Sequence, residues 1–204
     1  TDYFETFNKK NVRLIDLKEN PIVKITKNGI KTKNEDLKFD KIIFATGYDA
    51  LSGPILSLNL TGRKNIKLNK YWKNGPKTYL GLMIPNFPNF FIISGPGSPS
   101  VLTNVPAQIQ QHVEWISEFI KYLEKSNSLS VEPKAKEAEN WVKKINTLAS
   151  KSLFMKAKNS WYKGDNIPGK PKTFIPYPAG LPQYREICNK VRKKMYKGFN
   201  IFLK

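Results

Sequence analysis

The stretch Phe90-Phe91-Ile92-Ile93-Ser94-Gly95-Pro96-Gly97-Ser98-Pro99 decides how the chain is read. Its first four residues are an apolar run of strand length, and the Gly/Pro cluster behind them reads as a loop. Downstream, Asn104 and Pro106 supply a helix start, Asn as cap and Pro tolerated in the first turn. Val105, Ile109, Val113, Ile116, Ile120 and Leu123 then recur at helical spacing, which predicts a helix with this face on a core. A buried parallel strand feeding a loop and a helix aims the helix N-terminus at the carboxyl edge of an α/β sheet, where ligands bind. Free N–H groups and the positive end of the helix dipole favour an anionic ligand atom there. The alternative is a helix that does no more than pack on the sheet under its Asn104 cap.

Upstream, Phe39-Asp40-Lys41-Ile42-Ile43-Phe44-Ala45-Thr46-Gly47 carries an unbroken apolar centre and predicts a second strand covered on both faces. Gly47 at its end permits a sharp turn or a close approach to a ligand; an ordinary strand terminus would look the same. Nearer the start, Val12–Leu17 and Ile22–Ile25 are short β-branched runs, and Lys27-Asn28-Gly29 supplies a hairpin turn leading back through Ile30-Lys31-Thr32. Residues 50–80 are irregular, with Tyr71 and Trp72 as anchors. A short strand is expected at Leu129-Ser130-Val131. A second amphipathic helix then opens at Pro133, with Trp141, Val142, Ile145 and Leu148 inward. From Lys163 to Pro182 glycines and prolines punctuate a long ordered loop, and a last helix is expected over 183–196. Trp161, in Ser160-Trp161-Tyr162, is either a loop anchor or an indole stacked on a ligand.

The balance of 35 basic to 16 acidic side chains gives +19, enough to attract polyanions. The basic residues are mostly dispersed lysines rather than arginines gathered among stacking aromatics, so a solvated surface is expected and nucleic acid is not the favoured partner. No apolar run reaches the length of a bilayer span, so no membrane partner is expected. A single cysteine, Cys188, permits no intrachain disulfide and points to a reducing compartment, with cytoplasm the default. The chain starts at Thr1, not Met, and is expected to be a fragment. No metal site is expected.

Five segments in order resemble the Baeyer–Villiger monooxygenases: Tyr3-Phe4-Glu5-Thr6-Phe7-Asn8; Phe44-Ala45-Thr46-Gly47-Tyr48-Asp49; Gly95–Ser100 continuing through Asn104 to Gln111-His112-Val113-Glu114-Trp115; Ser160-Trp161-Tyr162; and Asn166–Pro171, ending at Tyr184-Arg185. The resemblance implies an incomplete α/β chain, the C-terminal part of a Rossmann-like flavoprotein with two dinucleotide-binding domains for FAD and NAD(P). Its parts would be the β-rich end of an NADPH-binding domain (1–43), the C-terminal half of an FAD-binding domain (44–158), a mobile cofactor and substrate loop (159–180), and a C-terminal helix and tail (181–204). In that family NADPH reduces FAD, reduced flavin takes up O2, and a flavin peroxide attacks a ketone to give an ester or lactone. Thr46, Gly47, Tyr48 and Asp49 would then belong to the hinge between domains. Asn104 and Val105 would lie at the pyrimidine edge of the flavin, and Trp161 against NADP(H). Leu102, Thr103, Phe174, Ile175, Pro176 and Tyr177 would line the substrate pocket. The family's catalytic arginine and histidine motif would lie upstream of Thr1, so no catalytic residue is expected here and the chain alone is expected to be inactive.

Two departures stand out: Asp165 where the family commonly has a small residue, and Pro178-Ala179-Gly180 in place of a more glycine-rich stretch. No G-x-G-x-x-G occurs, so neither pyrophosphate site is present. His112 is expected to be a surface or packed helix residue rather than a base, and Cys188 a small buried hydrophobe. Two other functions remain open at this stage: oxygenation at nitrogen or sulfur, and a lysine-rich nucleic-acid-binding module.

Overall fold

The structure, a computed structural model, describes residues 2–204. The chain divides into two units, Thr1–Gly47 and Tyr48–Lys204. The catalytic groups expected upstream of Thr1 lie outside the described residues.

The first unit holds a short helix α1 (Tyr3–Thr6) and an antiparallel meander of β1 (Ile22–Thr26), β2 (Gly29–Thr32) and β3 (Asp36–Lys38). The expected hairpin forms, with Thr26 opposite Gly29. Glycine is required there, because its φ is +152° and a Cβ would sit 1.9 Å from the Leu37 carbonyl oxygen. Arg13 grips Glu35 through two hydrogen bonds of 2.8 and 2.6 Å and so ties the approach to the turn before β3. Val12–Leu17, expected as a strand, is turn and irregular backbone.

Residues 39–47 are not a strand either. Ile43 is 89% and Phe44 67% exposed, where burial on both faces was expected. A central strand needs a ladder partner on each side, and no strand among the described residues pairs with this run. The sequence carries the apolar demand; the cover is not among the described residues.

The second unit contains helices α2 (Gly53–Ser57), α3 (Leu68–Tyr71), α4 (Val105–Lys125), α5 (Ala135–Ser150) and α6 (Gly180–Lys193). An antiparallel pair, β4 (Ser128–Pro133) and β5 (Phe199–Leu203), completes it. Its main core gathers Trp115 and Phe119 of α4, Trp141 of α5, Tyr184 of α6, and Tyr196 and Phe199 near the C-terminus. Phe119 stacks on Tyr196 at 3.9 Å, and Trp115 meets Phe119 edge-on at 5.2 Å. Burying one such large apolar side chain stabilises by about 1.5–3 kcal/mol, so this cluster holds the helices on the β4–β5 ribbon. A second cluster, with Leu68, Trp72, Ile84, Phe87 and Ile92, anchors the irregular region, Trp72 as expected.

Two expectations for the decisive stretch need correction. Phe90–Ser94 is not a buried parallel strand: a single antiparallel bridge joins Met83 to Phe91, and Ile93 is 48% exposed. Left-handed backbone at Asn89 (φ 57°) and Ser94 (φ 56°) bounds the run and leaves it too short for a ladder. The helix start is as expected, but the face is not. The buried residues of α4 are Gln108, Gln111, His112, Trp115, Ile116 and Phe119, while Ile109, Val113 and Ile120 are exposed. Ser94 and Ser98 of the preceding loop need partners from α4, and this turns Gln108 and His112 inward.

No helix among the described residues is long and apolar enough to cross a membrane.

Candidate cofactor and substrate site

The loop from Ser94 to Asn104 is held from four directions. From α4, His112 Nδ1 accepts the Ser94 N–H at 3.0 Å, and Gln108 Nε2 donates to Ser98 Oγ at 3.0 Å and to Ser94 Oγ at 3.3 Å. Ser98 Oγ in turn donates to the Gly95 carbonyl at 2.7 Å. From α5, the Trp141 indole N–H donates to the Gly97 carbonyl at 2.9 Å. From the irregular region, the Thr78 hydroxyl donates to the Pro96 carbonyl at 2.6 Å. The fourth partner is the 174–177 segment: Gly97 N–H donates to the Ile175 carbonyl and Tyr177 N–H to the Ser98 carbonyl, both at 2.8 Å. Gly97 makes this possible, since its φ is +91° and a Cβ would lie 2.8 Å from Thr78 Oγ1.

The loop ends in a 3-10 turn (Ser100–Leu102) and then Asn104, whose Oδ1 accepts the Ala107 N–H at 3.1 Å. Pro106 has no N–H, so Val105 supplies the remaining donor of the first turn. A 21-residue helix therefore begins with its positive end and one free N–H beside the loop. Leu102, Thr103 and Val105 are half-buried and Asn104 is exposed.

Phe174, Ile175, Pro176 and Tyr177 are all buried. Phe174 and Ile175 line, with Pro96 and Gly97, a cavity of about 10 Å³, room for one water at most. In this structure they act as core, not as the wall of an open pocket. Tyr177 stacks on Trp141 at 5.1 Å with planes 5° apart, and its hydroxyl donates to Gln183 Oε1 at 2.6 Å. Trp161 is half-buried and stacks on Tyr162 at 4.2 Å. The Tyr162 carbonyl accepts the Ile175 N–H at 2.8 Å, which links the Trp161 turn to the same segment. Asp165 accepts the Ser160 N–H at 2.5 Å and pairs with Lys163 at 3.1 Å, closing the turn on itself.

The hinge residues are less gathered. Thr46 and Gly47 are exposed in the first unit, and Tyr48 is 86% exposed in the second. Asp49, half-buried, is ion-paired with Lys170 of the 159–172 turn.

Burial dominates the electrostatics beneath the loop. It lowers the pKa of His112 to about 4 and raises that of Cys188 to about 12. It also holds the Tyr184 phenol well above its ordinary range, and that hydroxyl donates to the Leu80 carbonyl at 2.6 Å. Because His112 Nδ1 accepts from Ser94, the proton of the neutral ring sits on Nε2, where it meets no acceptor among the described residues. His112 is thus packed, not a surface residue, and its one visible task is to hold the loop. Trp141 and Gln108, which carry much of the loop's anchoring, were not legible as site residues. A tryptophan and a glutamine at helical spacing give no signal of the carbonyl or hydroxyl they will meet.

Known proteins resemble this chain along nearly its whole length. The cyclohexanone 1,2-monooxygenase of Acinetobacter sp is 42% identical over 202 residues, 98% of this chain and 37% of that protein. A Baeyer–Villiger monooxygenase of Pseudooceanicola batsensis is 41% identical over 196 residues, 96% of this chain and 35% of that protein. The crystal structure of OTEMO in complex with FAD and NADP matches with a TM-score of 0.90 at 33% identity, covering 98% of this chain and 37% of that one. No family profile matches the chain. The chain spans little more than a third of the length of the curated relatives it matches.

Proposed function

As a segment of the Baeyer–Villiger monooxygenase family, this chain, we propose, supplies one side of the FAD, NADP(H) and ketone site of a larger protein that inserts one atom of O2 next to a ketone carbonyl. The observation that carries the reading is identity of 41–42% along essentially the whole chain to enzymes of that name. We adopt ketone oxygenation over nitrogen or sulfur oxygenation, or a nucleic-acid-binding module, on the names of the relatives at 41–42% identity.

The residues fit a flavin edge. The Val105 N–H and the positive end of α4 are suited to an acceptor atom that gains negative charge on reduction, and Asn104 keeps that helix end wound. FAD, when bound there, supplies the oxygen-activating redox chemistry. The residues of this chain bind, orient and exclude water. Leu102 and Thr103 border the flavin and the ketone. Trp161 takes the nicotinamide side, on a turn that closes over the site and keeps water out. Phe174–Tyr177 set the distance between that turn and the glycine loop. Thr46–Asp49 form the hinge by which the chain passes between domains, with 1–43 ending an NADPH-binding domain, 44–158 completing an FAD-binding domain, 159–180 the closing loop and 181–204 the C-terminal helix and tail. The groups that perform catalysis belong to the rest of the protein. We place that protein in the cytoplasm, with neither membrane nor nucleic acid as a partner.

The test is ketone-stimulated NADPH oxidation by the full-length protein, with the product identified as ester or lactone. The 204-residue chain alone is expected to show neither this activity nor a retained flavin absorption band after incubation with FAD. Full-length protein that holds flavin but never converts a ketone would overturn the substrate class.

A further inference from the structure

The glycine loop and the 174–177 segment are joined at one point from two chemically different sides. Two backbone hydrogen bonds run between them, Gly97 to Ile175 and Tyr177 to Ser98, each 2.8 Å. A single side chain, Trp141, spans both: its indole N–H donates to the Gly97 carbonyl at 2.9 Å while its ring lies parallel to Tyr177 at 5.1 Å. Trp141 is 4% exposed and belongs to α5, an element that contributes none of the proposed cofactor or substrate residues. Gly97 cannot yield to any side chain, because an added Cβ would meet Trp141 Nε1 at 3.1 Å and Thr78 Oγ1 at 2.8 Å. The joint is therefore close-fitted as well as hydrogen-bonded.

We infer that Trp141 is a positioning residue that locks residues 95–98 and 174–177 into one body, so that the helix start at Asn104 and Val105 and the turn carrying Trp161 keep a fixed separation in the proposed site. This rests on the reading that the glycine loop leads into the flavin edge at Asn104 and Val105, and that 174–177 set the distance from that loop to the Trp161 turn. The chemical consequence is specific. A peptide carbonyl buried against an indole N–H has no water to replace that donor, so loss of the N–H leaves Gly97 oxygen unpaired and shifts the loop. A shift of the loop against 174–177 changes the width available to a ketone, and with it KM more than kcat.

The experiment uses the full-length holoenzyme and two substitutions. Trp141→Phe keeps a ring over Tyr177 and removes only the donor; Trp141→Leu removes both. Val131→Ala, at a fully buried position of β4, is the comparator that lowers stability without touching the joint. Hydrogen exchange at the Gly97 and Tyr177 amides is read together with steady-state kinetics on a ketone. In Trp141→Phe both amides are expected to exchange about tenfold faster, in step, and the ketone KM to rise about five- to tenfold, with a larger effect in Trp141→Leu if it folds. Acceleration at one amide alone, or equal acceleration in Val131→Ala, overturns the inference. The exchange result needs no turnover, so a wild-type enzyme inactive toward ketones would sink the proposed function and leave the joint to be judged on its own.

Discussion

The Lys170 ammonium donates to the Asp49 carboxylate and, at 3.3 Å, to the Ala50 carbonyl, with only 9% of the lysine side chain exposed. One residue at the proposed hinge is thereby fastened to the Gly/Pro turn that carries Trp161. Asp49 is 42% exposed, so water screens the pair and it contributes about 0.5–1 kcal/mol rather than the value of a dry contact. Lys170→Met keeps the alkyl stem and removes the charge. It is expected to leave global stability within about 1 kcal/mol of wild type and to speed proteolysis selectively within residues 159–172. Limited proteolysis with mass analysis of the cut sites checks this; unchanged cutting there would show that the turn is held by other contacts.

His112 gives a pH signature. Its folded pKa of about 4 lies below the ordinary value of 6.5, so between these two limits the unfolded chain binds a proton that the folded chain refuses. Stability therefore falls as pH drops through about 6.5 and levels below about 4, by roughly 3 kcal/mol in all. Carboxylates titrate in part of the same window, so the measurement is a difference: urea midpoints across this range for wild type and for His112→Gln, which can still accept from Ser94. The wild type is expected to lose roughly 3 kcal/mol more than the variant. Parallel curves would mean that the ring is charged when folded.

Asn104→Ala removes the cap that accepts the Ala107 N–H and is expected to cost about 1 kcal/mol, whereas Asn104→Asp restores the acceptor and most of the stability. In the full-length protein the aspartate has a second effect, because it brings a negative charge to the proposed flavin edge. Reduced flavin is disfavoured and the flavin potential should fall. Spectroelectrochemistry of the two proteins checks it; an unmoved potential would place the flavin away from this helix end.

Among the described residues, the first unit has no buried hydrophobic side chain. All five residues of β1 are exposed, with Ile22, Val23 and Ile25 at 47%, 60% and 55%. Its three short strands bury Gly29 and Thr32 but offer no hydrophobic face to pack, which an independently stable sheet needs. A peptide of residues 1–47 is expected to show little amide dispersion by NMR and no cooperative thermal transition; a sigmoidal melt would refute this.

How much of this was legible follows the range of each interaction. The β1–β2 hairpin and the start of α4 are decided by neighbours in sequence, an Asn-Gly turn and an Asn cap two residues before a proline, and both stand where they were expected. Residues 39–47 and 90–94 carry the apolar character of strands, but a strand also needs a partner, which local composition does not name. The face of α4 was misjudged for a similar reason. Aliphatic spacing pointed to Ile109 and Val113, while the buried side was chosen by Ser94 and Ser98, whose polar groups call for Gln108 and His112. Strand β5 lies in what reads from sequence as a tail, although a five-residue run with four large apolar side chains after Gly198 is the available clue. At the candidate site, family resemblance supplied the residues proposed to face the cofactors. The side chains that hold them in place, Trp141 above all, emerged only from the packing.

Cys188 has a practical consequence. It is the chain's one thiol, fully buried, and pushed up to about 12, so the folded protein offers almost no thiolate to an alkylating reagent at neutral pH. Every labelled molecule must then have opened around α6 first. The labelled fraction becomes a clock for that opening, readable by mass even in a crude mixture.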